Sequence, residues 1–275
     1  MQKSILITGC SSGIGYDAAH ALHKHGWQVF ASCRQQKDVE RLQSEGLQSL
    51  LLDYTDQASI DAAVKHVFDA TDGTLDALFN NGAYAQPGAT EDMPVGALRA
   101  IFEVNVFGQF ELIRQVLPAM KTRGAGRIIN CSSVLGIIAL PMRGPYCATK
   151  FAMEAMTDAL RYENPRSGVH FISIQPGPIT SKIRENGIPH FEKWVDWENS
   201  SHRAVYKEKL MPRLYDPKTA PDKFELPASA VTKKLIHALE SRNPKPRYKV
   251  TTPTYIAEAA RRLLSKRMLD RIFSG

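Results

Sequence analysis

The sequence predicts an α/β domain built on a doubly wound, seven-stranded parallel sheet with helices on both faces. Short runs of β-branched and apolar residues alternate with stretches of helical periodicity, which is typical of a parallel sheet. The chain has 275 residues with 43% hydrophobic side chains, enough to bury one large core. No repeat, low-complexity stretch or linker divides the sequence, so we expect a single domain over residues 1–275.

The first strand, residues 4–8, runs directly into a glycine-rich turn and then a helix. Apolar residues repeat at helical spacing from Ile14, and Gly26 supplies a C-terminal stop. Free N–H groups at the start of such a helix face an anion, and glycines let the backbone approach a pyrophosphate closely. The turn therefore predicts a dinucleotide site that contains Gly9, Ser11, Ser12, Gly13, Ile14 and Gly15.

The second strand, residues 27–32, leads to Arg34 and not to an acid. An acidic side chain at this place accepts from the ribose hydroxyl of NAD, whereas an Arg suits the 2′-phosphate of NADP. The planar guanidinium binds phosphate through two parallel hydrogen bonds. The alternative is a solvated Arg at a strand end. We expect NADP as the cofactor, with Arg34 at its phosphate.

The third and fourth strands are predicted at residues 47–52 and 75–79, and a polar residue follows each. The carboxylate of Asp53 suits the adenine amino group, or it serves as an acid at the start of the next helix. Asn80 and Gly82 follow the fourth strand. Because ligands bind at the carboxyl ends of parallel strands, we expect these residues beside the cofactor.

A long helix is predicted over residues 95–120, and Asn105 interrupts its apolar pattern. Asn competes for backbone hydrogen bonds inside helices, so Asn105 is either a tolerated blemish or a placed polar group. The fifth strand, residues 127–131, ends just before Ser133, and the sixth strand covers residues 169–175. The turn after the sixth strand consists of Pro176, Gly177, Pro178, Ile179 and Thr180.

The helix that begins at Tyr146 places Lys150 one turn later on the same face. At an effective dielectric of ~20 and ~4 Å, such a pair is worth roughly 4 kcal/mol, which favours phenolate. The pKa of the phenol would then fall from ~10 to about 7. Such an acid gives a proton to a carbonyl oxygen, or takes one from an alcohol, near neutrality. The alternative is a surface Tyr with an unrelated Lys.

The rest of the chain holds an insertion, a last strand and two helices. Residues 181–226 contain aromatic residues among many charges and prolines, and a long irregular segment is usually a functional lid or a partly disordered loop. We interpret it as a substrate lid. A helix at residues 227–241, a seventh strand at 247–251 and a final helix at 254–273 complete the prediction.

The net charge of +7 comes from the C-terminal segment. Residues 233–275 hold eleven Lys/Arg against three Asp/Glu, which leaves the preceding residues near −1. This distribution favours a solvated terminal helix over a nucleic-acid groove. Arg267 and Arg271 share helical angles with Leu263 and Leu264, so we do not expect a basic amphipathic helix for a bilayer surface.

The composition predicts a cytoplasmic protein. No apolar run approaches the ~18 residues of a membrane span, and the residues before the first strand are too few for a signal peptide. No metal-binding motif occurs, so we expect no metal site. Unpatterned spacing indicates reduced thiols at Cys10, Cys33, Cys131 and Cys147.

These residues, in this order, resemble the short-chain dehydrogenase/reductase family, and in particular its hydroxysteroid and retinol dehydrogenase-like branch. The likeness runs over residues 4–180 and implies a Rossmann-like fold. The family usually carries Asn-Asn-Ala-Gly after the fourth strand, whereas this chain has Gly82-Ala83 in swapped order. The motifs that carry the likeness are the glycine turn, the Asn-Asn turn, Asn105, Ser133, the Tyr146/Lys150 pair and Pro176-Gly177.

The resemblance implies a role for each residue. Tyr146 would protonate the carbonyl oxygen while hydride arrives from the nicotinamide, and Lys150 would lower the pKa of Tyr146 and hold the nicotinamide ribose. Ser133 would stabilise charge on the substrate oxygen. Asn105 would hold a water that links Lys150 to solvent. Contacts with the nicotinamide end of the cofactor are implied for Pro176, Gly177, Ile179 and Thr180.

The predicted function is NADP(H)-dependent hydride transfer to or from an aldehyde or ketone. The aromatic insertion and the apolar Leu140-Pro141-Met142 run favour an apolar substrate. One alternative is an NAD(P)H-binding regulator without turnover, which has no use for an acid of tuned pKa. A second is nucleic-acid binding through the basic C-terminal segment. The resemblance also implies a homodimer or homotetramer.

Overall fold

The computed structural model describes residues 2–216 and 221–273. Its strands pair in parallel, and the order from edge to edge is third, second, first, fourth, fifth, sixth, seventh. The order reverses beside the first strand, which is where open α/β sheets form their ligand crevice. The strands are β1 (Ser4–Ile7), β2 (Gln28–Cys33), β3 (Gln48–Leu51), β4 (Ala77–Asn80), β5 (Gly126–Cys131), β6 (Val169–Gln175) and β7 (Arg247–Lys249).

Helices cover both faces of this sheet, as the sequence predicts. Because successive strand residues point to opposite faces, Ile5 and Ile7 pack in one apolar layer and Leu6 packs in the other. The helices are α1 (Gly13–Lys24), α2 (Gln36–Ser44), α3 (Gln57–Asp69), α4 (Val95–Phe102), α5 (Gly108–Arg123), α6 (Gly144–Glu163), α7 (Ile188–Trp194), α8 (Arg203–Val205), α9 (Met211–Tyr215), α10 (Ser229–Glu240), α11 (Thr252–Leu263) and α12 (Lys266–Phe273).

A π-helical segment, Glu103–Phe107, joins α4 to α5 within the long helix predicted over residues 95–120. Asn105 lies in this segment and is fully buried. Its Oδ1 accepts from the backbone N–H of Tyr84 at 3.1 Å, and its Nδ2 donates to the Tyr84 carbonyl at 2.9 Å. Asn105 is therefore a placed polar group and not a blemish, and such π segments occur often at functional sites.

The final helix predicted over residues 254–273 is in fact two helices, because α11 ends at Leu263 and α12 begins at Lys266. The break restarts the helical register. At 100° per residue, Met268 and Ile272 now lie on a different side of α12 from its basic residues. The expectation that basic and apolar residues share one face was therefore wrong for α12.

The described residues of the insertion, 181–216 and 221–226, are folded, and the two ends of the insertion meet at one place. The Thr180 N–H donates to the Leu226 carbonyl at 3.0 Å, and the Leu226 N–H donates to the Pro178 carbonyl at 3.2 Å. The segment contains α7, α8 and α9 in addition to a π-helical turn. Residues 217–220, which the lid prediction includes, lie outside the described residues.

An apolar cluster anchors the insertion on the loop that follows β4. Phe191 and Tyr206 from the insertion pack with Met93 from that loop. The Tyr206 hydroxyl donates to Asp92 Oδ2 at 2.7 Å and accepts from the Ala89 N–H at 2.8 Å, while its ring is fully buried. Since both the ring and the hydroxyl are engaged, Tyr206 is the main anchor.

Tyr206→Phe keeps the ring and removes the hydroxyl, which deprives Asp92 and the Ala89 N–H of a buried partner. We expect the free energy of unfolding in urea to fall by about 1–3 kcal/mol. The matched control is Tyr215→Phe, because the Tyr215 hydroxyl reaches only the exposed Glu192. That variant should change the free energy by less than about 0.5 kcal/mol. An equal fall in the free energy of unfolding for the two variants would contradict the role of Tyr206 as an anchor.

Candidate active site

A cavity of about 510 Å³ opens at the carboxyl ends of β1, β4, β5 and β6. Its position is the crevice expected where the strand order reverses, and its volume lies within the ~300–1,000 Å³ of small-molecule sites. Most of the residues predicted for cofactor and catalysis meet here. The lining includes Gly9, Ser11, Ser12, Gly13, Ile14, Gly82, Ser133, Tyr146, Lys150, Pro176, Gly177, Ile179 and Thr180.

The turns after β1 and β4 touch backbone to backbone. A Cβ on Gly9, whose φ is +69°, would lie 2.6 Å from Gly82 Cα. A Cβ on Gly15 would lie 2.3 Å from the Gly9 carbonyl oxygen, so Gly15 serves helix packing beneath the cavity wall and does not line it. Side chains at either position would push the turns apart. The swapped Gly82-Ala83 order thus puts a glycine where the contact is tightest.

The start of α1 is open toward the cavity. Ser12 is the N-cap residue, yet its side chain makes no capping hydrogen bond. The first N–H groups of a helix have no partner within the helix, and its dipole attracts anions there. The turn leaves room for a ligand and supplies free donors to it. The residues present therefore fit the pyrophosphate of a dinucleotide.

Asn80 and Asp53 do not line the cavity. Asn80 is fully buried, and its side chain bonds with Asn130 and with the hydroxyl of Tyr54. Asp53 Oδ1 accepts from the backbone N–H of Thr55 at 2.9 Å, in the turn that leads into α3. This contact favours the helix-start interpretation of Asp53. A cofactor contact from either residue stays a prediction.

Arg34 also lies outside the lining of the cavity and is exposed at the end of β2. Burial raises the pKa of Tyr84 to about 12, and the charge of Arg34 opposes that rise. The charge of Arg34 is therefore felt at Tyr84, in the segment after β4. A phosphate contact from Arg34 stays a prediction.

Tyr146 and Lys150 lie on the same face of α6, 7% and 2% exposed, and line the same cavity as predicted. The Lys150 ammonium lies 5.6 Å from the centroid of the Tyr146 ring and donates to the Cys131 carbonyl at 2.7 Å. Burial lowers the pKa of Lys150. The geometry of the pair is thus confirmed, with the ammonium held by the backbone.

The predicted pKa of Tyr146 was wrong in direction. Burial raises the pKa of Tyr146 well above its ordinary value, and a hydrogen bond with Ser133 and the charge of Arg143 only partly oppose this rise. Removing the phenol from water makes phenolate less stable, which raises the pKa. The Lys150 ammonium donates its hydrogen bond to the Cys131 carbonyl and not to the phenol oxygen. The phenol is therefore protonated at neutral pH.

Ser132 and Ser133 both line the cavity, although neighbouring residues within a strand point to opposite faces. The alternation does not apply because β5 ends at Cys131. Ser133 Oγ accepts from the Leu135 N–H at 3.1 Å and caps a short 3₁₀ turn. Ser132 Oγ is buried and has no hydrogen-bond partner among the described residues.

Asn105 is linked to the site through hydrogen bonds to α6. Its Nδ2 also donates to Thr149 Oγ1 at 3.3 Å, and that hydroxyl donates to the Tyr146 carbonyl at 2.8 Å. Both donors of the amide and one acceptor site of its oxygen are therefore in use. The side chain positions α6 next to Tyr146. A water held by Asn105 stays a prediction.

Sequence reasoning missed a charged part of the wall. Arg143 contributes from the N-cap of α6, and its place three residues before Tyr146 was a usable signal. Asp222 Oδ2 accepts from Arg184 at 2.6 Å, and its other oxygen binds Arg213. No sequence pattern pointed to Arg184, Arg213 or Asp222, because the insertion has no regular periodicity. Besides Lys150, the charged residues of the wall are Arg143, Lys182, Arg184, Arg213, Asp222 and Glu225.

None of the helices in the described part of the chain combines the length and hydropathy needed to span a bilayer. The same residues contain no group of three or more His, Cys, Asp or Glu side chains placed to hold a metal ion.

Known proteins are similar to this chain in sequence and in fold. A family profile described as short chain dehydrogenase matches residues 3–190. The uncharacterized oxidoreductase YbbO of Escherichia coli K12 is 38% identical over 275 residues, which cover 100% of this chain and 95% of YbbO. An NADPH-dependent 3-dehydrocapnine reductase of Ornithobacterium rhinotracheale is 32% identical over 282 residues, covering 98% of this chain and 95% of the reductase.

A crystal structure of a short-chain dehydrogenase from Streptomyces avermitilis matches with a TM-score of 0.80 at 25% identity, covering 99% of this chain and 96% of that chain. The chain belongs to the short-chain dehydrogenase family, an oxidoreductase family that binds nicotinamide cofactors. The resemblance drawn from the motifs is thereby confirmed.

Ionisation of Tyr146 is directly measurable. In cofactor-free protein, the difference in ultraviolet absorbance between wild type and Tyr146→Phe should show no tyrosinate below about pH 10, since burial raises the pKa. Tyr162→Phe, at an exposed position on the same helix, is the control for the loss of one tyrosine. A Tyr146 transition near about pH 7 would restore the value predicted from the sequence.

Proposed function

We propose that this protein is an NADP(H)-dependent oxidoreductase that transfers hydride between nicotinamide and the carbonyl or alcohol group of an aldehyde or ketone. One observation carries the proposal. Ser133, Tyr146 and Lys150 converge in the cavity that the glycine turn borders. A dinucleotide-binding regulator without turnover is disfavoured, because it needs neither the serine nor a buried phenol.

The substrate carbonyl oxygen lies between the hydroxyls of Ser133 and Tyr146 in this mechanism. Both hydroxyls donate to the oxygen and stabilise the negative charge that develops on it. A nicotinamide, when held beside the glycine turn, would provide the hydride that the carbonyl carbon accepts. Tyr146 would then pass its proton to the oxygen, and the charge of Lys150, although its ammonium donates to the Cys131 carbonyl, would reduce the cost of the buried phenolate.

Burial of the phenol bears on the direction of reaction. Reduction needs Tyr146 protonated, whereas alcohol oxidation needs it as phenolate. Because burial raises the pKa of Tyr146, the proton-donating form dominates at neutral pH. We propose that the protein works mainly as a reductase.

The preference for NADP rests on Arg34. The β2 strand ends at Cys33, and Arg34 follows without an acid that could accept from a ribose hydroxyl. An exposed guanidinium at this place matches a 2′-phosphate in charge and shape. The related 3-dehydrocapnine reductase is described as NADPH-dependent, which supports the same choice.

We also propose a single catalytic domain over residues 1–275, with residues 181–226 as its substrate lid. A homodimer or homotetramer is supported by Phe107 and Phe110, two large apolar side chains exposed near the start of α5. The apolar side of the cavity, with Leu135 and Leu140, suits an apolar portion of the substrate. A cytoplasmic location remains a proposal from composition, and nucleic acid is not proposed as a partner.

Tyr146→Phe removes the proton donor and keeps the ring. We expect NADPH oxidation across a panel of aldehydes and ketones to slow by about 10²–10⁴-fold, with NADPH binding retained. The control, Tyr162→Phe on the exposed side of α6, should keep full activity. Equal rates for Tyr146→Phe and wild type would overturn the mechanism.

Arg34→Gln tests the cofactor preference. Loss of a charge-assisted bond to phosphate should raise KM for NADPH by roughly 10-fold or more and leave KM for NADH nearly unchanged. Lys37→Gln, an exposed neighbour that carries the same charge, is the matched control. A wild type that prefers NADH would contradict the role given to Arg34.

A further inference from the structure

The wall of the cavity carries more positive than negative charge. Five basic side chains face two carboxylates in the lining, and Lys150 is one of the five. A surplus of this kind inside a partly enclosed site favours an anion, because charge interactions there are screened less than in water. These groups are Arg143, Lys150, Lys182, Arg184, Arg213, Asp222 and Glu225.

The two carboxylates of the wall already have partners within the protein. Asp222 binds Arg184 and Arg213 together, and burial, which raises its pKa, is outweighed by these two guanidinium groups, which lower it. Glu225 accepts from the Thr180 hydroxyl at 2.8 Å and lies 3.7 Å from Arg184. Neither acid pairs with Arg143.

Arg143 is half-buried and lacks an anionic partner among the described residues. Its guanidinium donates only to the Met142 carbonyl, at 3.3 Å, although the group has five N–H donors. A guanidinium withdrawn from water without an anion costs free energy, and Arg does not escape by losing its proton. The remaining donors are therefore free for a ligand.

The backbone holds Arg143 in this place at a conformational cost. Met142 has a φ of +60°, in the left-handed region that non-glycine residues rarely adopt. The Met142 carbonyl accepts from the Gly88 N–H at 3.1 Å, which ties this turn to the segment after β4. Arg143 then begins the helix that carries Tyr146, so the two side chains keep a fixed relation.

We propose that the carbonyl substrate bears an anionic group, a carboxylate, sulfonate or phosphate, and that Arg143 binds it. This proposal rests on the proposed reductase function and refines its substrate class. Leu135, Leu140 and Leu214 line the same cavity and accommodate the apolar chain between the two polar ends. The substrate is thus an amphiphile and not a wholly apolar molecule.

Two aldehyde probes of equal length test the proposal, an ω-oxo fatty acid and its methyl ester. Wild type should reduce the acid with a kcat/KM about 10-fold or more above that of the ester. Arg143→Met should remove this preference by lowering kcat/KM for the acid alone, and Arg143→Lys should restore part of it. Arg166→Met, an exposed arginine after α6, is the control and should change neither value.

A binding measurement separates this proposal from the reductase function. Calorimetry with octanoate and octanol, which are not reduced, should show octanoate binding that Arg143→Met weakens about 10-fold while octanol binding stays constant. Failure to reduce any carbonyl compound with retained octanoate binding would sink the reductase function and support the anion site. Equal handling of acid and ester, or octanoate affinity unchanged in Arg143→Met, would overturn the anion site and leave the reductase standing.

Discussion

The structure depends on the junction where β1 and β4 end, and the Thr8 hydroxyl makes several of the hydrogen bonds that join the two ends. Thr8 Oγ1 accepts from the backbone N–H groups of Asn81 and Gly82 at 2.9 and 3.0 Å, and from the hydroxyl of Tyr54 at 2.7 Å. These bonds hold the two turns in contact, and the missing side chain of Gly9 lets them touch. The cavity floor therefore follows from this junction.

Much of the fold was predictable because its causes are local. The seven strands are recognisable in the sequence as short apolar runs. These runs are nearly continuous because both faces of the sheet are buried. The residues that follow each strand then meet at one edge without further information. Gly13, Ser133 and Pro176 could be assigned to one site for this reason alone.

The rest depended on three-dimensional surroundings that a pattern does not contain. Helical spacing brought Lys150 beside Tyr146, but only the fold shows that the ammonium is bonded to the Cys131 carbonyl and that the phenol is buried. The sign of the pKa change follows from these two facts. Likewise, Arg213 and Asp222 lie in a segment without periodicity, so their meeting at the cavity wall has no sequence signature.

Because the insertion leaves and rejoins the body at the Pro178 to Thr180 and Leu226 contact, it forms a module with a narrow base. Ser133, Tyr146 and Lys150 follow β5 or lie on α6, while part of the cavity wall, with Arg184 and Arg213, belongs to this module. Grafting a different segment between those two anchor points should retarget the enzyme and leave its chemistry in place, a natural route by which one scaffold diversifies.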